Sequence, residues 1–134
     1  MIPNWTYRNK EVTELAQCPK WATAFIYIIE FNNGKKYVGY KMLYHKVRKT
    51  GKKRRVLKES NWKSYCGSIK DSEFRSKFKA GSVYPVSRRI TKFTKSDHFY
   101  QEAKLQFKLN VLENQMYYNT NIMGKFFRGN INKK

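Results

Sequence analysis

The sequence is short of acid. Nine of its 134 residues are Asp or Glu, against 29 Lys and Arg, which leaves a formal net charge of +20. It is equally poor in histidine and cysteine, with two of each. Cys18 and Cys66 stand alone in the chain and cannot supply the four ligands of a structural zinc site. His45 and His98 lack the H-x-E or H-E-x-x-H spacing of zinc enzymes, so zinc chemistry is disfavoured. Isolated cysteines of this kind read as reduced thiols in a cytosol. Long apolar runs are missing too: "AFIYII", residues 24–29, is far too short to span a bilayer, and no segment has the pattern of an interfacial helix. The opening "MIPNWTYRNKEV" contains no apolar signal core, so neither secretion nor a membrane partner is expected.

What is present is aromatic and basic. Hydrophobic residues make up 40% of the chain and aromatic residues 16%, enough to fold a domain rather than leave a disordered basic tail. At this length, one core and one domain are expected. So much positive charge on a small body calls for a polyanionic partner, and nucleic acid leads.

The pattern along the chain predicts an α+β domain: a small central antiparallel three-stranded sheet flanked by helices. Residues 1–20 read as a polar extension with a helical stretch near Lys10–Gln17, ended by Pro19. From Trp21 to Phe31, Phe25, Tyr27, Ile29 and Phe31 alternate with Ala24, Ile26 and Ile28. Both faces are apolar, as in a central strand. "NNGK" then supplies turn residues that tolerate positive φ, and "KYVGYKM" returns as the second strand. The basic insertion at 44–58, "YHKVRKTGKKRRVLK", forms either a charged hairpin or a loop. Its "KKRR" resembles a nuclear localisation signal, but a phosphate-contacting role suits so basic a chain better. A helix follows Gly67, capped by Ser68 or Asp71. "SVYPVSRRITKF" is the third strand, with Pro85 forcing an edge position or an irregular start. Residues 122–134 are left as a tail.

The clearest helical pattern covers Asp97–Leu112, where Leu105, Leu109 and Leu112 form one stripe. One step back along that stripe lies Glu102. Either it points toward the sheet, at a cost of several kcal/mol or so unless a cation or donors meet it, or it sits at the stripe's edge and reaches water. The tyrosines of the hairpin carry the same ambiguity, since strand tyrosines commonly pack with the hydroxyl at the rim.

Taken in order, "FIY" (Phe25, Ile26, Tyr27), "YVG" (Tyr37, Val38, Gly39) and a helix-borne Glu102 resemble the GIY-YIG nuclease family. The blocks "KKYVGYK", "NWKSYCGS", "YQEAKLQF" and "VLENQMYYNTNI" resemble, more narrowly, the short endonucleases of this family carried by bacteriophages, often as homing enzymes. The resemblance runs from about Phe25 to Asn121. It implies a DNA endonuclease in which Glu102 is the only protein ligand of Mg²⁺, with Mn²⁺ able to substitute. It further implies that Tyr27 is the base for the attacking water, that Tyr37 helps hold water and phosphate, and that Asn119 closes the catalytic domain. Phe25 stands where the family usually has glycine. The place of the family arginine falls at Val47, beside Arg48, and Lys41 is the alternative cation for clamping the phosphate.

Homing enzymes of this kind often add a DNA-recognition module. Here charge is expected to supply most of the affinity, through Lys46, Arg48, Lys52, Lys53, Arg54, Arg55, Lys63, Arg88 and Arg89. Trp62 and Tyr65 either stack on an unpaired base or belong to the core. Double-stranded DNA is the expected substrate, a homodimer the route to selectivity, and the cytoplasm of a bacterial host the location. A basic DNA-binding protein that keeps the nuclease fold without cutting is the alternative.

Overall fold

A computed structural model describes residues 2–48 and 55–131, apart from the side chains of Arg48 and Arg55. The strand–turn–strand unit forms as its pattern predicts. Strand β3 (Ala24–Phe31) pairs antiparallel with β4 (Lys36–Met42), placing Tyr27 opposite Gly39, Ile29 opposite Tyr37 and Phe25 opposite Lys41. Gly34, with φ +85°, turns the chain between them. On the other side of β3 lies β7 (Pro85–Thr94), also antiparallel. Pro85 opens β7 instead of interrupting it, so the proline costs the ladder nothing and β7 is an interior strand.

The sheet is wider than the predicted three strands. Two further strands, β1 (Trp5–Tyr7) and β2 (Lys10–Val12), extend it to the order β2-β1-β7-β3-β4, with β1 parallel to β7. They come from the segment read as a polar extension with a helical stretch. That reading is corrected: only a single 3-10 turn, Leu15–Gln17, is helical there. The reason is local. Arg8 and Asn9 have φ +51° and +68°, the doubly left-handed conformation of a tight hairpin turn, and Trp5 and Val12 bury their side chains in the core.

The basic insertion is a hairpin. Strands β5 (Tyr44–Arg48) and β6 (Arg55–Glu59) form their own two-stranded sheet. Helix α1 (Ser72–Ala80) is capped by Asp71, which accepts the Glu73 N–H at 3.1 Å. Helix α2 (His98–Lys108) stops earlier than its leucine stripe suggests. Asn110, at φ +54°, ends it in a Schellman arrangement: Val111 N–H reaches the Gln106 carbonyl and Asn110 N–H that of Phe107. Leu112 therefore lies beyond the helix, yet Leu105, Leu109 and Leu112 still join Val38, Ala103, Val111 and Ile122 in one cluster under α2.

The chain from Ile122 onward is integrated as far as it is described. Strands β8 (Asn121–Ile122) and β9 (Phe126–Phe127) form a short hairpin, and Ile122 is buried. Arg128 then donates to the carbonyls of Val111, Asn114, Tyr117 and Asn119. No helix among the described residues is long and apolar enough to cross a membrane.

Candidate active site

The β3–β4 register puts Tyr27, Tyr37 and Lys41 on one face, grouped around Gly39. Tyr27 is 1% exposed, and its ring lies 6.2 Å from that of Tyr37 and 6.0 Å from that of Tyr65. Glycine at position 39 is a packing requirement. A Cβ there would stand 2.5 Å from the Tyr27 hydroxyl and 2.8 Å from its Cζ. Gly67, at φ +98°, similarly brings its backbone against the Tyr37 ring.

Because β4 is an edge strand, groups from both faces of the sheet can meet around it. The outward backbone groups of β4 are met at every second residue. Lys36 N–H donates to Met116 carbonyl and Lys36 carbonyl accepts from Tyr118, both at 2.8 Å. Val38 is held by Asn119, whose Oδ1 accepts its N–H at 3.0 Å and whose Nδ2 donates to its carbonyl at 2.7 Å. Gln106 Nε2 donates to the same carbonyl at 3.2 Å. At Tyr40 the backbone group faces Glu102. The buried Asn119 thus acts on β4, between Tyr37 and Gly39, rather than presenting a free polar group.

Glu102, carried by α2, reaches a cavity of about 280 Å³ that is also lined by Tyr27, Tyr37, Tyr40, Lys41 and Tyr65. Burial pushes its carboxyl up to about 7, against a smaller opposing effect of the Tyr40 backbone. It makes no ion pair among the described residues. One turn further along α2, the buried Gln106 Oε1 has no hydrogen-bond partner among the described residues. A half-buried carboxylate with no ion pair among the described residues, sharing its cavity with four tyrosines and close to an orphaned acceptor, is a donor set that fits a hard divalent ion retaining waters. No group of three His, Cys, Asp or Glu side chains gathers among the described residues, so Glu102 is the carboxylate available to such an ion in this cavity.

The surroundings of the tyrosines hold their hydroxyls protonated. Burial, Tyr65, Tyr37 and the Glu102 charge all push Tyr27 well above its ordinary value, and burial, Tyr65, the Glu102 charge and Tyr40 push Tyr37 up. Lys41 stands with its Nζ 4.2 Å from the Tyr65 ring centroid, and desolvation lowers its pKa. Arg48 is the last residue of β5.

The DNA-contact candidates divide. Lys46 and Arg89 are exposed. Lys63 is exposed but bridges Glu14 at 2.9 Å and Glu59 at 3.8 Å. Arg55 ends the hairpin opposite Arg48, while Lys52, Lys53 and Arg54 lie outside the described residues. Arg88 is corrected: it is 3% exposed, and its guanidinium donates to the carbonyls of Pro3 at 2.7 Å and Tyr65 at 2.9 Å while stacking on Trp5. It ties the first strand to the Tyr65 loop at the cavity and has no surface to offer a phosphate. Trp62, fully buried and donating to Glu59, is core. Arg128, which fastens the segment bearing Asn119, carries no signal in the sequence beyond being one more basic residue.

No curated protein and no solved structure matches the chain. A family model does: the one described as "Putative endonuclease segE, GIY-YIG domain" matches residues 5–122, from the buried Trp5 of the first strand to the buried Ile122 of β8. That span takes in the paired tyrosines, the glycine beneath them, the helix-borne glutamate and the asparagine that holds β4, and the chain belongs to the GIY-YIG nuclease family.

Proposed function

We propose that the protein is a phage-encoded endonuclease that hydrolyses phosphodiester bonds of double-stranded DNA with Mg²⁺, or Mn²⁺ in its place, held by Glu102. Homing is the role proposed for it, in the cytoplasm of a bacterial host. The observation that carries the reading is Glu102 itself: a carboxyl pushed up to about 7 by burial, without an ion pair among the described residues, facing Tyr27, Tyr37 and Lys41 across one cavity. When bound, the cation supplies Lewis-acid stabilisation of the phosphoryl charge and of the departing 3′ oxygen.

The chain's own residues do the rest. Tyr27 stays protonated because burial raises it, so with Tyr37 it orients the attacking water by hydrogen bonding instead of serving as a free phenolate. Lys41 clamps the non-bridging oxygens as charge grows on them. Arg48 remains the second candidate for that task, at the end of β5 in a basic hairpin that tracks the DNA backbone with Lys46, Lys52, Lys53, Arg54 and Arg55. Asn119 positions β4, and with it Tyr37 and Gly39.

A supercoiled-plasmid assay with Mg²⁺, Mn²⁺ or EDTA tests the reading. Wild-type protein is expected to cut with either metal and not in EDTA, while Glu102→Ala binds DNA nearly normally without cutting. A mutant that cuts at the wild-type rate overturns the metal assignment. One observation favours the alternative, a DNA-binding protein that does not cleave: among the described residues, the cation lining the small cavity is Lys41 and not an arginine. Wild-type binding with no nicking under any divalent metal would establish that alternative. Mapping the ends shows whether one strand is cut or both, and paired cuts point to a homodimer.

A further inference from the structure

Beside the small cavity lies a larger one of about 570 Å³, and the two share Tyr37, Ser68 and Glu102. Two large apolar side chains line it and are left uncovered by the fold, Phe99 at 52% and Met123 at 56% exposed. Phe99 precedes Glu102 by about one helical turn. Its ring is set edge-on against Tyr40, with centroids 5.1 Å apart, and lies 4.3 Å from His98, contacts that steady it without burying it.

Met123 is the more telling of the two. It occupies the turn between β8 and β9, where Met123 and Gly124 have φ +58° and +66°. Tight turns of this form favour Asn, Asp or Gly at both central positions, and a long side chain there is strained. Burial would ordinarily offset such strain, and Met123 is exposed. Fold stability therefore explains neither residue.

We propose that the larger cavity receives an unpaired, unstacked nucleotide next to the scissile phosphate, with Phe99 and Met123 gripping its base. The inference rests on the nuclease reading of Glu102 and adds the class of DNA it prefers. A continuous duplex keeps its bases stacked inside, so a strand passing Glu102 would leave this cavity unfilled. A single displaced nucleotide suits a space within the range of small-molecule sites. Aromatic faces stack on any base. Lys70, Thr120 and Asn121 on the wall add charge and hydrogen-bonding groups. Unpaired bases cost least to unstack, so DNA with a bulge or mismatch at the cut is the preferred substrate.

The test uses the full chain in EDTA, where binding is read without cutting. The probes are a duplex with a bulged 2-aminopurine and its fully paired counterpart. The bulged probe is expected to bind about tenfold more tightly, with its fluorescence quenched, and Phe99→Ala should bring the two probes to near parity. Met123→Asn should raise the melting temperature, because Asn suits the turn, and yet reduce the preference. A methionine of purely structural importance would give the higher melting temperature with the preference intact. Equal wild-type affinity for both probes overturns the proposal, as does a preference unchanged in both variants. A Phe99→Ala change that turns a dimer into a monomer in sedimentation, with preference intact, would assign this face to a second copy of the chain and also overturns it. A wild-type protein that cuts plasmid but binds the two probes equally keeps the nuclease reading and loses this one.

Discussion

The Tyr27 hydroxyl occupies the space that a side chain on Gly39 would need. The two residues are register partners on β3 and β4, and a Cβ at position 39 would stand 2.5 Å from that oxygen and 3.1 Å from Tyr37 Cε2. The glycine is what lets two tyrosines converge above one strand. Gly39→Ala should therefore cost about 1–3 kcal/mol of stability through overpacking and displace both rings. Adding Tyr27→Phe to Gly39→Ala removes the closest contact and should recover part of that loss. Denaturant melts of the two single variants and the double variant measure the coupling, and strict additivity would show that the hydroxyl is not the obstacle.

Glu102 makes two pH predictions of opposite sense. A bound cation must displace the proton from a carboxyl pushed up to about 7. Below that pH the Mg²⁺ concentration for half-maximal cleavage should rise about tenfold per unit, and above it stay level. Without metal the linkage runs the other way. The folded protein holds this proton more tightly than the unfolded chain, whose carboxyl titrates near the ordinary 4.5, so stability falls as pH climbs from there to about 7. In EDTA, Glu102→Gln should match wild type at pH 4 and melt higher than wild type at pH 8. At pH 8 with Mg²⁺ it should lose cleavage by about two to three orders of magnitude, the scale of a lost Lewis-acid contribution.

The edge of β4 offers a third test. Asn119 satisfies both backbone groups of Val38, a residue with no exposed surface. Asn119→Ala leaves the N–H unpaired and the carbonyl with Gln106 only, at a cost of about 2–4 kcal/mol for two lost buried bonds. Hydrogen exchange should accelerate at Val38 far more than at Ile26 on the neighbouring strand. Equal acceleration at both would mean general loosening instead of a local clamp.

How much of this is legible in the sequence depends on how local the cause is. The β3–β4 hairpin declares itself because alternation and "NNG" are short-range signals, and the Asp71 cap does so for the same reason. The early end of α2 was equally local, written in Asn110, but a leucine stripe continuing to Leu112 outweighs a single turn residue when only periodicity is read. The N-terminal strands are harder: three residues each, with a parallel partner more than eighty positions away at Arg88–Ile90. Pairing over that distance leaves no mark in either segment. Charge misleads in its own way. In a chain with 29 Lys and Arg, nothing in "SRRI" distinguishes a buried arginine from an exposed one, and nothing marks Arg128 as the fastening of the Asn119 segment. Only the tertiary carbonyls they meet reveal their roles.

Arg88 and Arg89 turn that last point into an experiment, because adjacent residues on β7 point to opposite faces of the sheet. Arg88 spends its guanidinium on Pro3, Tyr65 and the Trp5 ring, whereas Arg89 is exposed. Arg88→Lys keeps the charge but loses the forked geometry, and should cost about 1–3 kcal/mol of stability. Its plasmid affinity should keep the wild-type dependence on salt, while cleavage falls because the Tyr65 loop loses its tether beside the cavity. Arg89→Ala should do the reverse. Its melting should be unchanged within about half a kcal/mol, and the slope of log affinity against log salt should drop by about 0.9, the signature of one lost phosphate contact. Melts and salt titrations of both variants separate the roles. A reduced salt slope in Arg88→Lys with unaltered melting would mean that this arginine leaves the core to meet DNA.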